Sequence, residues 1–176
     1  MGIFGSDCAR QAARKAGAGL HFIRLDQHVP PWPRSLAGLR RQVFPQSFRD
    51  GPIPLARLGS WLSLAALDGK VVGYALVVPN ATFDIDEYLG CILEEVVVAP
   101  NVQSRRIGSD LVSFAAQWMI EAGYVTMGTC ALHGPDQGRR QVWIERMGFV
   151  YSRWGSMETR LESLVAKDPQ VGRADV

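Results

Sequence analysis

The residues best placed to do chemistry lie in one run, 91–123. It opens Cys-Ile-Leu-Glu-Glu-Val-Val-Val-Ala-Pro, passes through Asn-Val-Gln-Ser-Arg-Arg-Ile-Gly-Ser-Asp, and ends in a helix-period segment. Residues 91–98 are rich in β-branched side chains and lie between Gly90 and Pro100, which predicts a buried strand ending where proline offers no ladder donor. Residues 101–109 form a short polar turn with Arg105 and Arg106. Ile107, Leu111, Phe114, Ala115, Trp118 and Ala122 then trace one face of a helix that Gly123 ends. A strand that delivers a basic turn onto a helix start suits an anion. First-turn N–H groups have no intrahelical partner and sit at the positive end of the helix dipole, so a phosphate can accept several at once. The two arginines add charge, and Gly108 is expected to let a ligand approach the backbone closely.

The chain that must position this run has 176 residues, enough for one domain with a sizeable core. With 47% hydrophobic and 20% charged residues it reads as an ordinary globular protein, not a disordered one. A net charge of +2 is too small to imply nucleic acid as a partner. No apolar run is long enough to span a membrane, and no apolar stretch of a secretory signal follows the N-terminal charges. Cys8, Cys91 and Cys130 are an odd set without metal-ligand spacing, which points to free thiols, a reducing compartment and no metal. Cys91 and Cys130 lie in apolar runs and read as buried structural cysteines rather than nucleophiles. The cytoplasm is the expected location.

Taken in order, residues 1–19 are small, basic and dotted with glycine, and are expected to be a flexible or loosely helical leader. Residues 21–25 read as a strand and 35–44 as a helix with Leu36, Leu39, Val43 and Phe44 on one side. Residues 61–67, Asp68-Gly69 and 71–78 carry a strong hairpin signal, because Asp-Gly supplies the positive φ values of a tight turn. An acidic loop with Asp84, Asp86 and Glu87 precedes the central strand. Residues 124–132 read as a strand, 137–147 as a helix stopped by Gly148, and 149–154 with 156–161 as a final pair of strands. The domain is expected to cover 20–162, with 163–176 as a C-terminal tail.

The run Val-Val-Val-Ala-Pro-Asn-Val-Gln-Ser-Arg-Arg-Ile-Gly-Ser-Asp-Leu resembles motif A of the GNAT (general-control-related N-acetyltransferase) superfamily, written Gln/Arg-x-x-Gly-x-Gly/Ala. Gln103 fills the first position and Gly108 the last, while Arg106 stands where the middle glycine is normal. Gly73-Tyr74-Ala75, the Trp-Ile-Glu-Arg-Met-Gly-Phe segment from Trp143 to Phe149, and Met157 resemble further pieces of the family pattern. The element order matches the family from about residue 20 to 162. The resemblance implies a mixed α/β GNAT fold: a mostly antiparallel sheet of six to seven strands, splayed between the fourth and fifth, with helices on both faces.

It also implies acetyl-CoA, or another acyl-CoA, as donor. Pantetheine would enter the splay and pair with the backbone edge of Val96, Val97 and Val98. The diphosphate would lie over Gln103, Ser104, Arg105, Arg106, Ile107, Gly108 and Ser109, and Gln137 partly matches the family's motif B asparagine. Transfer to an amine needs a base, because an alkylammonium is mostly charged at neutral pH. Glu94 and Glu95 are the candidates; neighbours on a strand face opposite sides, so only one points into the cleft, and Glu94 is favoured. The family's usual acid, a tyrosine, is replaced by Ile144, and another base position falls on Leu132. His133 and Tyr151 are therefore the remaining candidates for proton transfer, and orientation of a reactive thioester alone is a third route.

The acidic residues favour a cationic acceptor, first a small-molecule primary amine and second a peptide or protein amine. Trp32, Phe44, Phe48 and Trp61 are candidates to wall its pocket. Arg139, Arg140, Arg146 and Arg153 suggest either a solvated helix face or a basic surface for the nucleotide or for RNA. The alternatives to a small-molecule enzyme are a non-catalytic CoA-binding regulatory module and a tRNA-acetylating toxin-like enzyme. By analogy with relatives, a homodimer is expected.

Overall fold

The computed structural model describes residues 13–15, 19–25, 34–44, 60–79, 90–129, 137–152 and 156–166. Eight strands form one sheet in the order β1-β2-β3-β4-β5-β6-β8-β7. The strands are β1 (Ala13–Lys15), β2 (Leu20–Leu25), β3 (Trp61–Leu67), β4 (Lys70–Pro79), β5 (Gly90–Val98), β6 (Thr126–Thr129), β7 (Val150–Tyr151) and β8 (Met157–Arg160). Four helices accompany them: α1 (Arg34–Val43), α2 (Ile107–Glu121), α3 (Gln137–Met147) and α4 (Leu161–Ala166). All pairings are antiparallel except β5 with β6. The mixed α/β GNAT fold expected from the resemblance is the observed fold. The expected fourth and fifth strands are β5 and β6 here, because β1 adds a strand ahead of them.

The β3–β4 hairpin turns on Asp68 and Gly69, both at positive φ (50° and 76°), as the Asp-Gly signal predicts. The helices cover both faces of the sheet. Tyr74 and Gly73 are neighbours on β4 and so point to opposite sides. Tyr74 faces α1 through the Arg40–Glu95 pair, whereas the missing side chain of Gly73 faces Leu111 of α2. On α1, Leu36 and Leu39 are buried, with Arg40 beside them at only 4% exposure.

Helix α2 departs from the single apolar stripe. Ile107, Leu111, Phe114 and Ala115 are buried as expected, but so are Val112, Ser113, Ala116 and Met119. The second buried side is covered by α4, whose Leu161 and Leu164 are in the core and whose Leu164 carbonyl accepts a bond from Ser113 Oγ (3.0 Å). A helix apolar on both sides needs two partners. Residues 161–166 thus correct the reading of a strand ending at 161 and a tail from 163. At six residues α4 is too short to show a period. Residues 13–15 likewise pair with β2 (Ala13↔Ile23), where a leader was expected. Among the described residues no helix is long and apolar enough to cross a membrane.

Cys91 on β5 is buried, and its thiol donates to the Thr126 carbonyl (3.4 Å). Burial pushes the thiol up to about 12, as expected of a structural cysteine. Cys8 and Cys130 lie outside the described residues.

Two predictions follow from this packing. A methyl added at Gly73 would stand 2.9 Å from the Val97 carbonyl oxygen and 3.1 Å from Leu111 Cδ1, so Gly73→Ala should cost about 1–3 kcal/mol in urea unfolding. At Gly38, exposed within α1, nothing lies within 4 Å, and Gly38→Ala should instead gain up to about 1 kcal/mol. Equal stability of the two variants would refute this account of the close approach. For Cys91 the raised value means that the buried neutral thiol adds stability fully below 9.0 and loses it as pH climbs toward about 12. Mass-mapped alkylation should leave Cys91 unmodified in the native state at neutral pH, and Cys91→Ala should flatten the alkaline loss of stability.

Candidate functional site

The site begins with a fault in the sheet. β5 pairs with β4 as Leu76↔Glu95 and Val77↔Leu93, so Glu94 has no counterpart and is the extra residue of a β-bulge. Without the bulge, Leu93 and Glu95 would share a face. With it, Leu93 takes the face of Val77 and Glu95 takes the face of Leu76 and Tyr74. On its other edge β5 pairs with β6 from Gly90↔Thr126 to Leu93↔Thr129, the last described residue of that strand. Among the described residues the parallel pairing reaches to one residue before the bulge.

Past that point, among the described residues, β5 is paired with β4 alone. The Ala99 amide donates to the Val72 carbonyl (2.8 Å), toward β4. Alternation along the strand then turns the backbone groups of Val96 and Val98 toward the opposite edge. There the Val98 carbonyl accepts from Gln103 Nε2 (3.0 Å). Among the described residues nothing takes up the Val96 N–H and carbonyl or the Val98 N–H. The side chains of Val96 and Val98 pack toward Gly108 of α2, and Val97 is buried on the opposite face.

The chain leaves β5 through a 3-10 turn at Pro100–Val102 and two left-handed residues, Ser104 (φ 69°) and Arg106 (φ 62°, ψ 0°). Arg106 is the N-cap of α2, and no side chain caps the helix. Its left-handed backbone explains why glycine is normal at that point of the motif, since a side chain there costs about 1–2 kcal/mol. The first intrahelical bond runs from the Asp110 amide to the Arg106 carbonyl (3.0 Å), so the amides of Ile107, Gly108 and Ser109 precede the ladder. Ile107 is buried, whereas Gln103, Ser104, Arg105 and Arg106 are exposed. The Cβ direction of Gly108 points at Trp143 Cζ2 (3.5 Å) and at the valines of β5. A Cβ added at Gly108 would meet the indole of α3 and these valines at ordinary contact distance. Ser109 Oγ accepts from Trp143 Nε1 (3.1 Å).

The two glutamates have different surroundings. Arg40 Nε donates to both oxygens of Glu95 (2.8 and 3.1 Å), and the Tyr74 hydroxyl donates to Glu95 Oε2 (2.7 Å). The side chains of Arg40 and Glu95 are 5% and 10% exposed. Burial, reinforced by the Glu95 charge, pushes the Tyr74 phenol well above its usual range, so it remains a donor. A carboxylate held by two donors ties α1 to β5. Glu94 is half-buried at the bulge, beside the end of the β6 pairing.

The other expected residues divide. Tyr151 is 59% exposed on β7, the outermost strand and three positions from β5 in the sheet. At about 4.8 Å per strand that is about 14 Å from β5, so the structure does not bring Tyr151 to the glutamates. Ile144, in the usual position of the acid, is buried in the core. Gln137 is the exposed first residue of α3. Trp61 packs against Trp118 with the rings tilted (centroids 4.6 Å apart, 59°) and meets Tyr124 edge-on, which makes it a packing residue on the α2 face. Phe44 lies under Arg140 (5.3 Å). His133, Asp84, Asp86, Glu87, Trp32, Phe48 and Arg153 lie outside the described residues.

Sequence reading missed Arg40, Tyr74 and Trp143 as partners of the site. The signal for Arg40 was present: it falls four residues after Leu36 on the buried stripe, where a charge requires a counter-charge.

The fold has counterparts among known proteins. The family model described as acetyltransferase (GNAT) family matches residues 19–149. No curated protein matches the chain in sequence. Among solved structures, the aminoglycoside acetyltransferase meta-AAC0020 from an uncultured soil metagenomic sample, in complex with sisomicin, is 19% identical; the match covers 73% of this chain and 86% of that one at a TM-score of 0.59. A GNAT family acetyltransferase from Elizabethkingia anophelis with acetyl-CoA bound is 14% identical, with 77% and 78% covered and a TM-score of 0.57. A variant of the toxin AtaT bound to the C-terminus of the antitoxin AtaR is 14% identical, with 86% and 99% covered and a TM-score of 0.59. At these identities the likeness is one of fold. The family model spans well over half of the chain, and with the strand, turn and helix described above it places this protein in the GNAT family of N-acetyltransferases.

Proposed function

We propose that the protein moves an acetyl group from acetyl-CoA to the primary amine of a small molecule, with residues 20–162 and α4 forming the catalytic domain. The observation that carries this reading is the uncapped start of α2 set beside a strand whose pairing with β6, among the described residues, ends at Leu93. The diphosphate would accept the amides of Ile107, Gly108 and Ser109. The pantetheine amides would pair with the Val96 N–H and carbonyl and the Val98 N–H, extending β5 as a missing strand would. Gln103 then acts as a strand-end clamp, because its side chain already holds the Val98 carbonyl.

In this reading Glu94, directly or through a water, takes the proton from the incoming ammonium. The free amine attacks the thioester carbonyl carbon, the C–N bond forms, the nitrogen gives up its second proton to solvent, the C–S bond breaks, and CoA departs as thiolate. A thiol of pKa about 8.5 is a good leaving group near neutral pH, so solvent can return its proton and the isoleucine at 144 need not be an acid. Glu95, held by Arg40 and Tyr74, positions α1 and does not take protons. Acetyl-CoA as donor makes the cytoplasm the natural location. The sisomicin-bound relative supports a small polyamine as the class of acceptor.

The test is release of free thiol from acetyl-CoA across a panel of amines, peptides and tRNA. Turnover with small amines supports the proposal. Turnover with peptide or tRNA alone changes the acceptor, and CoA binding without turnover on any of them favours a regulatory module. Glu94→Gln should lower kcat about a hundredfold or more while CoA affinity holds. Glu95→Ala should instead remove the carboxylate that accepts from both Arg40 and Tyr74 and lower stability in urea unfolding by about 1–3 kcal/mol. Full activity in Glu94→Gln would refute the assignment of the base. Gly108→Leu, which drives a side chain into Trp143 and Val98, should weaken CoA binding at least tenfold by calorimetry; unchanged affinity would remove the diphosphate from this turn.

A further inference from the structure

The bond between Trp143 and Ser109 has a direction, and the direction has a chemical consequence. An indole N–H can only donate, so Ser109 Oγ must accept. The one proton of the serine hydroxyl is then left to be donated elsewhere. Among the described residues the hydroxyl has no other partner, and no bond back to the carbonyl four residues earlier consumes it. Ser109 is the third residue of α2, and helix Cα–Cβ bonds tilt toward the N-terminus, so the hydroxyl leans toward the free amides of the first turn. Gly108 precedes Ser109 on the same turn, and its Cβ direction runs toward Trp143 Cζ2, the ring carbon next to the nitrogen-bearing edge, at ordinary contact distance (3.5 Å).

We propose that Trp143 is a positioning residue for the acyl donor: by occupying one of the two acceptor lone pairs of Ser109 it orients that hydroxyl to donate its proton to the donor's diphosphate. The inference rests on the reading of the α2 start as the diphosphate site. It adds a residue of α3 that touches no ligand but sets the hydrogen-bond polarity of one that does. A serine free to rotate could present either its proton or its lone pairs. One held by an indole N–H presents its proton and so favours an anion.

The test is a double-mutant cycle on the affinity of the full chain for CoA, measured by calorimetry on wild type, Ser109→Ala, Trp143→Phe and the double variant. Each single change should weaken CoA by roughly tenfold, the size of one hydrogen bond to a charged group. The double variant should be no weaker than either single, because both remove the same bond. If the losses multiply, Trp143 acts through packing alone and the proposal is overturned. If both singles bind CoA as wild type does, it is overturned while the donor reading stands; wild type that binds no CoA overturns both. Should Trp143→Phe fail to fold, the same question is read on the native tryptophan. CoA should shift the Trp143 indole N–H resonance in wild type and Ser109→Thr, but not in Ser109→Ala. An equal response in all three would overturn the proposal.

Discussion

Among the described residues β5 has strand partners on both edges only as far as Leu93, and this constraint organises the site. A central strand with one satisfied edge is a cost in a folded protein, because each buried, unpaired backbone group forfeits a hydrogen bond. Here the open edge is short and partly answered from within. Gln103 reaches back to the Val98 carbonyl, and the parallel pairing with β6 survives for four residues. What remains is a matched set of donor and acceptor at Val96 and a donor at Val98. That set fits an amide-bearing chain, and the pantetheine arm of the proposed donor has that chemistry.

The bulge at Glu94 explains how one strand serves two sides of the sheet. An unbroken β5 would direct Leu93 and Glu95 to the same face. The inserted residue instead leaves Leu93 with Val77 and sends Glu95 to α1, and it bends the strand where β6 is lost. A carboxylate delivered onto a buried helix face needs a counter-charge, and Arg40 supplies it with Tyr74 as a second donor. Such a pair adds little net stability over apolar packing but makes a wrong register expensive, since a slip by one residue would strand both charges. The ion pair and the bulge thus enforce each other: the bulge aims Glu95, and the pairing of Glu95 holds the bulge in place.

Most of the fold was legible because its signals are local. The Asp-Gly turn, the β-branched run from 91, the apolar stripe of α2 and the limits of α3 can each be read within a dozen residues. The misses share a physical cause, which is that they depend on partners distant in sequence. The second buried side of α2 makes sense only once α4 lies on it, and six residues of α4 carry no period of their own. The flip of Glu95 could not be read from alternation, because a bulge breaks the period on which the argument stands. Tyr151 follows a glycine-phenylalanine stop and was expected to reach the cleft. The strand order β6-β8-β7 instead carries it to the far edge, and strand order is a property of the whole sheet.

The same distinction clarifies Arg106. Read as sequence, an arginine in place of the motif's middle glycine departs from the pattern. Read as structure, the turn keeps its left-handed backbone and the arginine adopts it. The conformational cost of about 1–2 kcal/mol is small beside the stability of a domain with this much buried core. It falls at the one turn where an exposed positive charge stands next to three free amides. Glycine would adopt the same backbone with less strain but would bring no charge. The turn therefore trades a little local stability for an electrostatic contribution at the proposed diphosphate, which is how strain comes to be retained at a binding site rather than removed from it.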